Sequence, residues 1–372
     1  MNQIADTVFY VALDYNKLNN VLQIEYNDSL LFVNDCHSIL IFNSKGEYIR
    51  SISLEKGSMD VDFHSSHIYT YCFLTKELCS YDFSGNKLWS SRVKGGDFGY
   101  MGYNFASVSD TLFVIANMNK GYNSDRLVFV NDKGRIIHRI ANSETFEAPA
   151  RTQTYNSAWK RTVFKNKEGI LYHPFYNDTV YSIQGKELIP VIIEQSIEKV
   201  PLEERLEYTG KSVSDFTKYC VAENKYATRF YDTPRFTIVE YQLGSLENSL
   251  SNYLVYDKKK QEVKRSYNDL IESLEKSELL HLGIKNDYDG GLAFQPMFQS
   301  QEYLIMVGAG SGHGGKSAAP SELYRLGRNV LEKHYACVSQ EYKSLEHKER
   351  VKNFFDKNRD DKTILTVVRI RK

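Results

Sequence analysis

The strongest chemical motif in the sequence is a Gly-rich stretch. Residues Gly310–Ser317 (GSGHGGKS) match the phosphate-loop pattern G-x-x-x-x-G-K-(S/T), in which backbone N–H groups cradle phosphates. In that role Lys316 would contact the terminal phosphates and Ser317 a magnesium ion. Too few residues follow for a parallel sheet, no apolar strand ending in Asp follows, and Pro320 lies where the next helix should extend. We therefore favour a Gly-rich loop between strands over nucleotide binding.

A second polar cluster lies at Asn286–Gly291 (NDYDGG). Asp287 and Asp289 are followed by Gly290, as at the front of a calcium loop, but the complete D-x-(D/N)-x-(D/N)-G-x5-E pattern is absent. The alternative is a turn in which Asx side chains bond their own backbone and glycines supply positive φ. We favour the turn and take Asn286, Asp287 and Asp289 as the candidate ligand-binding residues, near the central channel of the fold predicted below.

Other catalytic or metal-binding patterns are missing from the sequence. His64 and His67 are three positions apart but precede a predicted strand, so they share no helical face. Neither H-E-x-x-H nor the nucleophile elbow G-x-S-x-G occurs. We therefore predict no catalytic residues, no metal ligands and no cofactor. The basic run Lys258–Arg265 contains Glu262 and is interpreted as a solvated turn, not a nucleic-acid site.

The composition indicates a β-rich globular protein. Aromatic residues make up 13% of the 372 residues, which favours strands over helices. Lys+Arg and Asp+Glu are 47 each, so the chain lacks the cationic excess of a general phosphate-backbone binder. The apolar runs are far shorter than the about 18 residues of a membrane span, and the first residues lack a signal-peptide pattern.

The five cysteines are sparse and include no C-x-x-C pair, so a zinc ribbon or thioredoxin-type site is unsupported. Cys72 and Cys79 flank Thr75 and Lys76, and a two-residue turn there would place the two cysteines opposite each other. A disulfide is then conceivable, but we favour two reduced thiols in a half-buried hairpin.

One hairpin pattern recurs along the chain: an apolar run, a short polar turn, and a second strand. Four copies carry glycine at the turn, which tolerates the positive φ of tight hairpins, and a fifth has lysine there. The turn positions are Gly46, Gly85, Gly134, Gly185 and Lys260. Another apolar segment precedes each hairpin, and several are apolar at consecutive positions, which indicates burial on both faces. A repeated unit of roughly 40 residues and about four strands is typical of a β-propeller blade.

We therefore predict an all-β fold, a six-bladed β-propeller of four-stranded antiparallel blades that forms a single domain over residues 1–372. Short helical insertions are predicted near residues 200–220, 267–280 and 341–357. The terminal segment Thr363–Arg371 is predicted as a strand, and pairing Val8–Leu13 with the last blade would close the ring and protect its edges.

Four segments also carry a family resemblance. They are Phe42–Arg50, Tyr176–Ile183, Val200–Leu206 and Asn286–Pro296. In their order and over nearly the whole chain they resemble a bacterial six-bladed β-propeller family that is distantly similar to NHL-repeat propellers. That family is mostly uncharacterised and often carried on exported lipoproteins, so the resemblance implies a periplasmic or cell-surface location.

Two functions fit these observations. The leading hypothesis is a non-catalytic binding or scaffold module, expected as a monomer, that holds a small molecule, glycan or protein at the channel mouth or at inserted loops. The alternative is a metal-assisted hydrolase or lyase of the lactonase-like propeller type. That alternative requires acidic, amide or histidine side chains from several blades to converge on one ion.

Overall fold

The computed structural model contains six four-stranded antiparallel sheets. The residues that it describes are 1, 3–15, 18, 21–54, 57–95, 104–117, 123–146, 162–174, 177–194, 199–208, 213–223, 225–243, 250–266, 284, 294–307, 345–358 and 362–372.

In the first five sheets, which we number as blades in chain order, consecutive strands pair from the innermost strand outward. Blade 1 is β2 (Gln23–Tyr26), β3 (Leu30–Asn34), β4 (Ser38–Asn43) and β5 (Tyr48–Ser53). Blade 2 is β6 (Gly57–Asp62), β7 (His67–Cys72), β8 (Glu77–Asp82) and β9 (Lys87–Arg92). Blade 3 is β10 (Phe105–Ser109), β11 (Leu112–Ala116), β12 (Asp125–Asn131) and β13 (Ile136–Ala141). Blade 4 is β14 (Val163–Asn166), β15 (Gly169–Tyr172), β16 (Thr179–Gln184) and β17 (Glu187–Ile193). Blade 5 is β18 (Tyr226–Asp232), β19 (Phe236–Leu243), β20 (Leu250–Asp257) and β21 (Glu262–Ser266).

The sixth blade is built from both ends of the chain. Its strands from the inside outward are β22 (Phe298–Ser300), β23 (Tyr303–Val307), β24 (Ile364–Ile370) and β1 (Ala5–Ala12). Strand β1 pairs antiparallel with β24, and Val8 lies opposite Val368. The predicted closure of the ring by an N-terminal strand and the predicted six-bladed fold are both confirmed.

The hydrophobic core lies between neighbouring blades. Along β3, Phe32 packs toward blade 2 with Met59, whereas its neighbours Leu31 and Val33 pack toward blade 6 with Ile305. Successive side chains of a strand point to opposite faces, so a strand covered on both sides must be apolar at consecutive positions. This explains the continuous apolar runs in the sequence and confirms their interpretation.

The hairpin turns follow the predicted pattern in four blades and differ from it in one. Positive φ occurs at the four predicted glycines, Gly46, Gly85, Gly134 and Gly185. In the fifth hairpin the positive φ of 56° belongs to Gln261 and not to Lys260. The four-residue turns of blades 1 to 3 are each followed by a register shift in the ladder, whereas β20 and β21 pair without one, and there the fourth residue of the turn takes the left-handed conformation.

The prediction that Cys72 and Cys79 lie opposite each other is wrong. Cys72 pairs with Glu77, and Cys79 pairs with Thr70. The connection comprises all four residues 73–76 rather than a two-residue turn, and this places the two cysteines diagonally across the ladder. Both side chains are buried, and burial raises the pKa of the Cys79 thiol.

Three helices lie within the described residues. They are α1 (Leu202–Glu207), α2 (Val213–Ala222) and α3 (Leu345–Lys357), which confirms two of the predicted insertions, whereas 267–280 lies outside the described residues. Val200, Phe216 and Cys220 form a small core at α1 and α2, and Val351 of α3 packs into the core of blades 5 and 6. Within the described part of the chain, no helix is both long and apolar enough to span a bilayer.

Candidate functional site

The connections between strands are distributed unequally over the two ends of the blades. Antiparallel order places the turns after the first and third strands of a blade at one end, which we call the short-turn end. The turns after the innermost strands are short, for example 110–111, 167–168 and 301–302. The opposite end, which we call the loop end, holds the long connections 142–162, 194–225, 267–297 and 308–363.

The predicted ligand-binding residues Asn286, Asp287 and Asp289 lie outside the described residues, within the loop-end connection from β21 to β22. The structure fixes both flanks of this segment. Ile284 and Phe294 form an isolated antiparallel bridge with reciprocal N–H···O bonds of 2.8 and 2.9 Å, and both pack in the core of blades 5 and 6.

A further contact holds the C-terminal flank of the same segment. The Tyr231 hydroxyl bonds the carbonyl of Pro296, accepts a 3.0 Å bond from Arg229, and lies 3.3 Å from a Glu240 carboxylate oxygen. Burial raises the pKa of Tyr231, so the hydroxyl stays a neutral donor. The connection that carries the candidate residues therefore ends at a fixed position beside β22.

The two other sequence motifs give no site in the described structure. Gly310–Ser317 belongs to the connection between β23 and β24 and lies outside the described residues. The backbone N–H of His64 bonds Asp62, while Nδ1 of His67 lies 3.1 Å from the Tyr69 hydroxyl. Within the described ranges, no group of three or more His, Cys, Asp or Glu side chains could hold a metal ion.

Near the axis, the structure brings together three residues from three blades, which we call the hub cluster: Asp60 of β6, Ser107 of β10 and Lys165 of β14. Lys165 Nζ lies 2.5 Å from Asp60 Oδ2 and 2.8 Å from Ser107 Oγ. The same Asp60 oxygen accepts bonds from the backbone N–H of Ser107 at 2.7 Å and from its hydroxyl at 2.5 Å. The Asp60 side chain is fully buried, whereas that of Lys165 is 24% exposed.

The geometry of the hub cluster favours a structural role over a catalytic one. A serine nucleophile needs a base that accepts its proton. Here the Ser107 hydroxyl donates to Asp60, and Lys165 is an ion-paired ammonium that donates to Ser107. The second oxygen of Asp60, Oδ1, is buried and has no hydrogen-bond partner among the described residues. The cluster therefore links blades 2, 3 and 4 and leaves one buried acceptor at the hub.

Side chains of the inner strands also bond the backbone edges of neighbouring blades. The Gln23 amide bonds both N–H and C=O of Met59, at 2.7 and 3.0 Å, and joins blade 1 to blade 2. Gln299 does the same for the N–H and C=O of Asp232, which joins blade 6 to blade 5. The Ser300 hydroxyl accepts from the N–H of Tyr26 at 2.8 Å and joins blade 6 to blade 1.

Two of the remaining interfaces are joined in the same manner and one by a bond between side chains. Asp60 bonds the Ser107 backbone between blades 2 and 3, and Asn104 accepts from the Thr162 N–H between blades 3 and 4. Between blades 4 and 5, Asn166 donates a 3.1 Å bond to the Asp232 carboxylate. Because an unpaired strand edge otherwise exposes its polar backbone, these contacts protect the inner edges and fix the wall of the channel.

Two equivalent Tyr–Asp bonds join blades at the short-turn end. Tyr69 of β7 donates a 2.9 Å bond to Asp110 of blade 3, and Tyr303 of β23 donates to Asp28 of blade 1. The pKa of both tyrosines is raised. Burial is the larger cause, and the neighbouring carboxylate is the smaller one. Burial and the charge of Asp28 likewise raise the pKa of Tyr26 to about 12.

These shifts predict a loss of stability at alkaline pH. The folded pKa values lie above the ordinary tyrosine value of about 10, so the neutral tyrosines contribute full stability below about pH 10. This contribution is lost as the pH rises toward about 12, the pKa of Tyr26. We expect the melting temperature to fall over this window and tyrosinate absorbance to rise together with unfolding. A titration of all tyrosines near pH 10 without unfolding would contradict the prediction.

Comparison with known proteins assigns the chain to a family. Residues 1–311 match a family model described as a domain of unknown function, DUF4934. The chain belongs to the DUF4934 family. No curated protein matches the sequence.

The DUF4934 chain shares its fold with a solved structure. A putative exported protein from Bacteroides fragilis is 14% identical with a TM-score of 0.64, covering 98% of this chain and 95% of that one. A member of the DUF4221 family from Bacteroides vulgatus is 9% identical with a TM-score of 0.48, covering 99% of this chain and 97% of that one. The DUF4934 match and the Bacteroides fragilis structure confirm, at the level of the fold, the resemblance to mostly uncharacterised bacterial six-bladed propellers.

Sequence reasoning missed the hub cluster of this DUF4934 propeller. The sequence does contain an indication of it, which is a charged residue within a short apolar segment. Met59 and Val61 flank Asp60, and Phe164 precedes Lys165. A charged residue inside a strand buried on both faces needs a partner. The sequence does not show which residue that partner is, because the two charges are 105 positions apart.

Proposed function

We propose that this DUF4934 protein is a non-catalytic binding propeller that holds a small molecule, glycan or protein at its loop end. The observation that carries the proposal is the unequal distribution of connections. The long ones, including 194–225 and 267–297, all leave the blades at the loop end, whereas short turns close the opposite end. Binding residues are concentrated on loops that a rigid scaffold positions, and the bonded inner wall supplies such a scaffold.

Within the loop end, the proposed ligand contacts are Asn286, Asp287 and Asp289. Their segment is bounded by the Ile284–Phe294 bridge, and the Tyr231 hydroxyl holds Pro296 just beyond it. Carboxylate and amide side chains on a loop with fixed ends can accept several hydrogen bonds at a small entropic cost. Hydroxyl-rich or amide-rich ligands, such as glycans and peptides, match these acceptors.

The test uses the full chain on arrays of immobilised glycans and peptides. We expect the variant Asn286→Ala/Asp287→Ala/Asp289→Ala to bind the recognised probes at least about tenfold more weakly, since each lost hydrogen bond to a charged group is worth roughly 1.5–3 kcal/mol. Asp132→Ala, on a turn at the short-turn end of blade 3, is the control and should bind normally. Equal binding by the triple variant would refute the proposed contacts.

The metal-assisted alternative gives a different result with the same variants. Elemental analysis of the purified protein would then find a stoichiometric divalent ion, and the ion would stabilise the protein against heat. Loss of both effects in Asp287→Ala or Asp289→Ala would replace the binding proposal by the hydrolase or lyase hypothesis.

A further inference from the structure

Charge is unevenly distributed over the turns of the short-turn end. The turns of blades 4 to 6 comprise 167–168, 185–186, 233–235, 258–261, 301–302 and the adjoining 371–372. They carry eight cationic and two acidic side chains. The equivalent turns of blades 1 to 3 are 27–29, 44–47, 63–66, 83–86, 110–111 and 132–135, with three cationic and four acidic side chains. A chain without net charge therefore has one half of this end that is strongly basic.

Burial increases this asymmetry at Glu302 and Asp232, which are covered while their cationic partners are more exposed; Glu168, the other acid of these turns, is itself exposed. The Glu302 side chain is only 13% exposed, while its partners Lys372 and Lys167 are 66% and 55% exposed, at 3.4 and 3.7 Å. In blade 5, Asp232 is 7% exposed and its partner Lys258, at 2.9 Å, is 30% exposed. At these two places the lysine ammonium groups face solvent and the carboxylates that pair with them lie beneath.

Exposed apolar side chains lie on outer strands in both halves, and in the basic half they lie on the strands that follow the basic turns. β17 begins directly after Lys186, and its Ile189 and Val191 are 38% and 49% exposed. β21 begins directly after Lys258–Gln261, and its Val263 is 55% exposed. β17 has no basic residue, whereas the outer strands of blades 1, 2, 3 and 5 carry Lys or Arg, which usually protect an edge from association.

We propose that this basic half of the short-turn end, together with the exposed side chains of β17 and β21, docks on a bilayer surface rich in anionic phospholipids. Cationic side chains near an anionic leaflet are each attracted by about 1 kcal/mol, and neighbouring apolar side chains add burial at the headgroup boundary. The tight turns hold the charges in place, so an extended anionic surface can contact several of them at once. The proposed ligand face is at the loop end, and the two proposals are independent.

The test is co-sedimentation of the full chain with vesicles of phosphatidylcholine alone or mixed with phosphatidylglycerol. We expect binding to the mixed vesicles only, and weaker binding as salt rises. The variant Lys186→Glu/Lys259→Glu/Lys260→Glu should bind at least about tenfold more weakly. It leaves Lys258, which contacts the buried Asp232, in place. Val191→Ser/Val263→Ser should also weaken binding without changing its salt dependence.

The matched control is Lys45→Glu/Lys133→Glu/Arg135→Glu, which makes the same charge change on turns of blades 1 and 3 at the same end. It should bind as the parent does, and circular dichroism should show that all variants are folded. Sedimentation with neither vesicle, or equal loss in both triple variants, would overturn the proposal. Equal affinity for soluble heparin would show a site for polyanions in general and would overturn the assignment to a membrane.

Discussion

Replacing Lys165 by methionine is expected to lower the free energy of unfolding by about 3–5 kcal/mol, because removing one partner leaves a buried charge uncompensated. Asp60 is fully buried, and Lys165 is its ion-pair partner at 2.5 Å. Without the ammonium group, the bonds from Ser107 are those that the Asp60 carboxylate keeps among the described residues. Methionine has a similar length, so the loss of packing is small. Chemical denaturation with urea measures the effect.

Two further variants separate charge from packing. Lys167→Met changes a lysine on the following turn that is 55% exposed and 3.7 Å from Glu302, and it should cost less than about 1 kcal/mol. Asp60→Asn placed in the Lys165→Met background removes the buried charge and should restore part of the lost stability. If Lys165→Met were as mild as Lys167→Met, the hub cluster would not hold the inner wall together.

The second large effect is expected at Gly134, in the hairpin turn of blade 3. Its φ is +71°, and a Cβ added there would lie 2.2 Å from the carbonyl oxygen of Arg92 in blade 2. Gly134→Ala therefore combines a left-handed conformation, worth about 1–2 kcal/mol, with a clash against backbone that cannot move alone, worth about 1–3 kcal/mol. We expect a total loss of about 2–5 kcal/mol by denaturation.

The control for Gly134 is Gly185, the equivalent turn of blade 4. Its φ is +62°, but a Cβ there would have no neighbour within 4 Å. Gly185→Ala should cost only the conformational part, about 1–2 kcal/mol. Gly46→Ala, whose Cβ would lie 2.3 Å from the Ala12 carbonyl oxygen, should behave like Gly134→Ala. Equal costs at all three positions would show that the close approach between blades is unimportant.

Much of the fold could be predicted from the sequence because its signals are local. Consecutive apolar residues such as Leu31 to Val33 indicate burial on both faces, and recurrent turn glycines such as Gly85 indicate tight hairpins. Both follow from side-chain alternation and from the freedom of glycine in φ, which act within a few residues. Cys72 was wrongly placed opposite Cys79 because the sequence does not specify the length of the turn between them. A turn that is two residues longer changes every residue pair in the ladder.

The hub and the proposed surfaces could not be predicted in the same way. Asp60, Ser107 and Lys165 meet because three inner strands converge on one axis, and no periodicity relates residues so far apart in the chain. The basic half of the short-turn end likewise combines turns of blades 4 to 6, each of which is an ordinary solvated turn when considered alone.

The amino-acid sequence by itself determined the strands and the repeated hairpins, because hydrophobic pattern and turn chemistry are short-range properties. The closure of the ring by β1 was expected because a propeller must protect its edges, and the tertiary structure supplies its pairing with β24. Only the tertiary structure decided which charges are buried as pairs and which remain exposed, as with Glu302 beneath Lys167 and Lys372. Electrostatic energies depend on distance and burial in three dimensions, and the order of residues along the chain specifies neither.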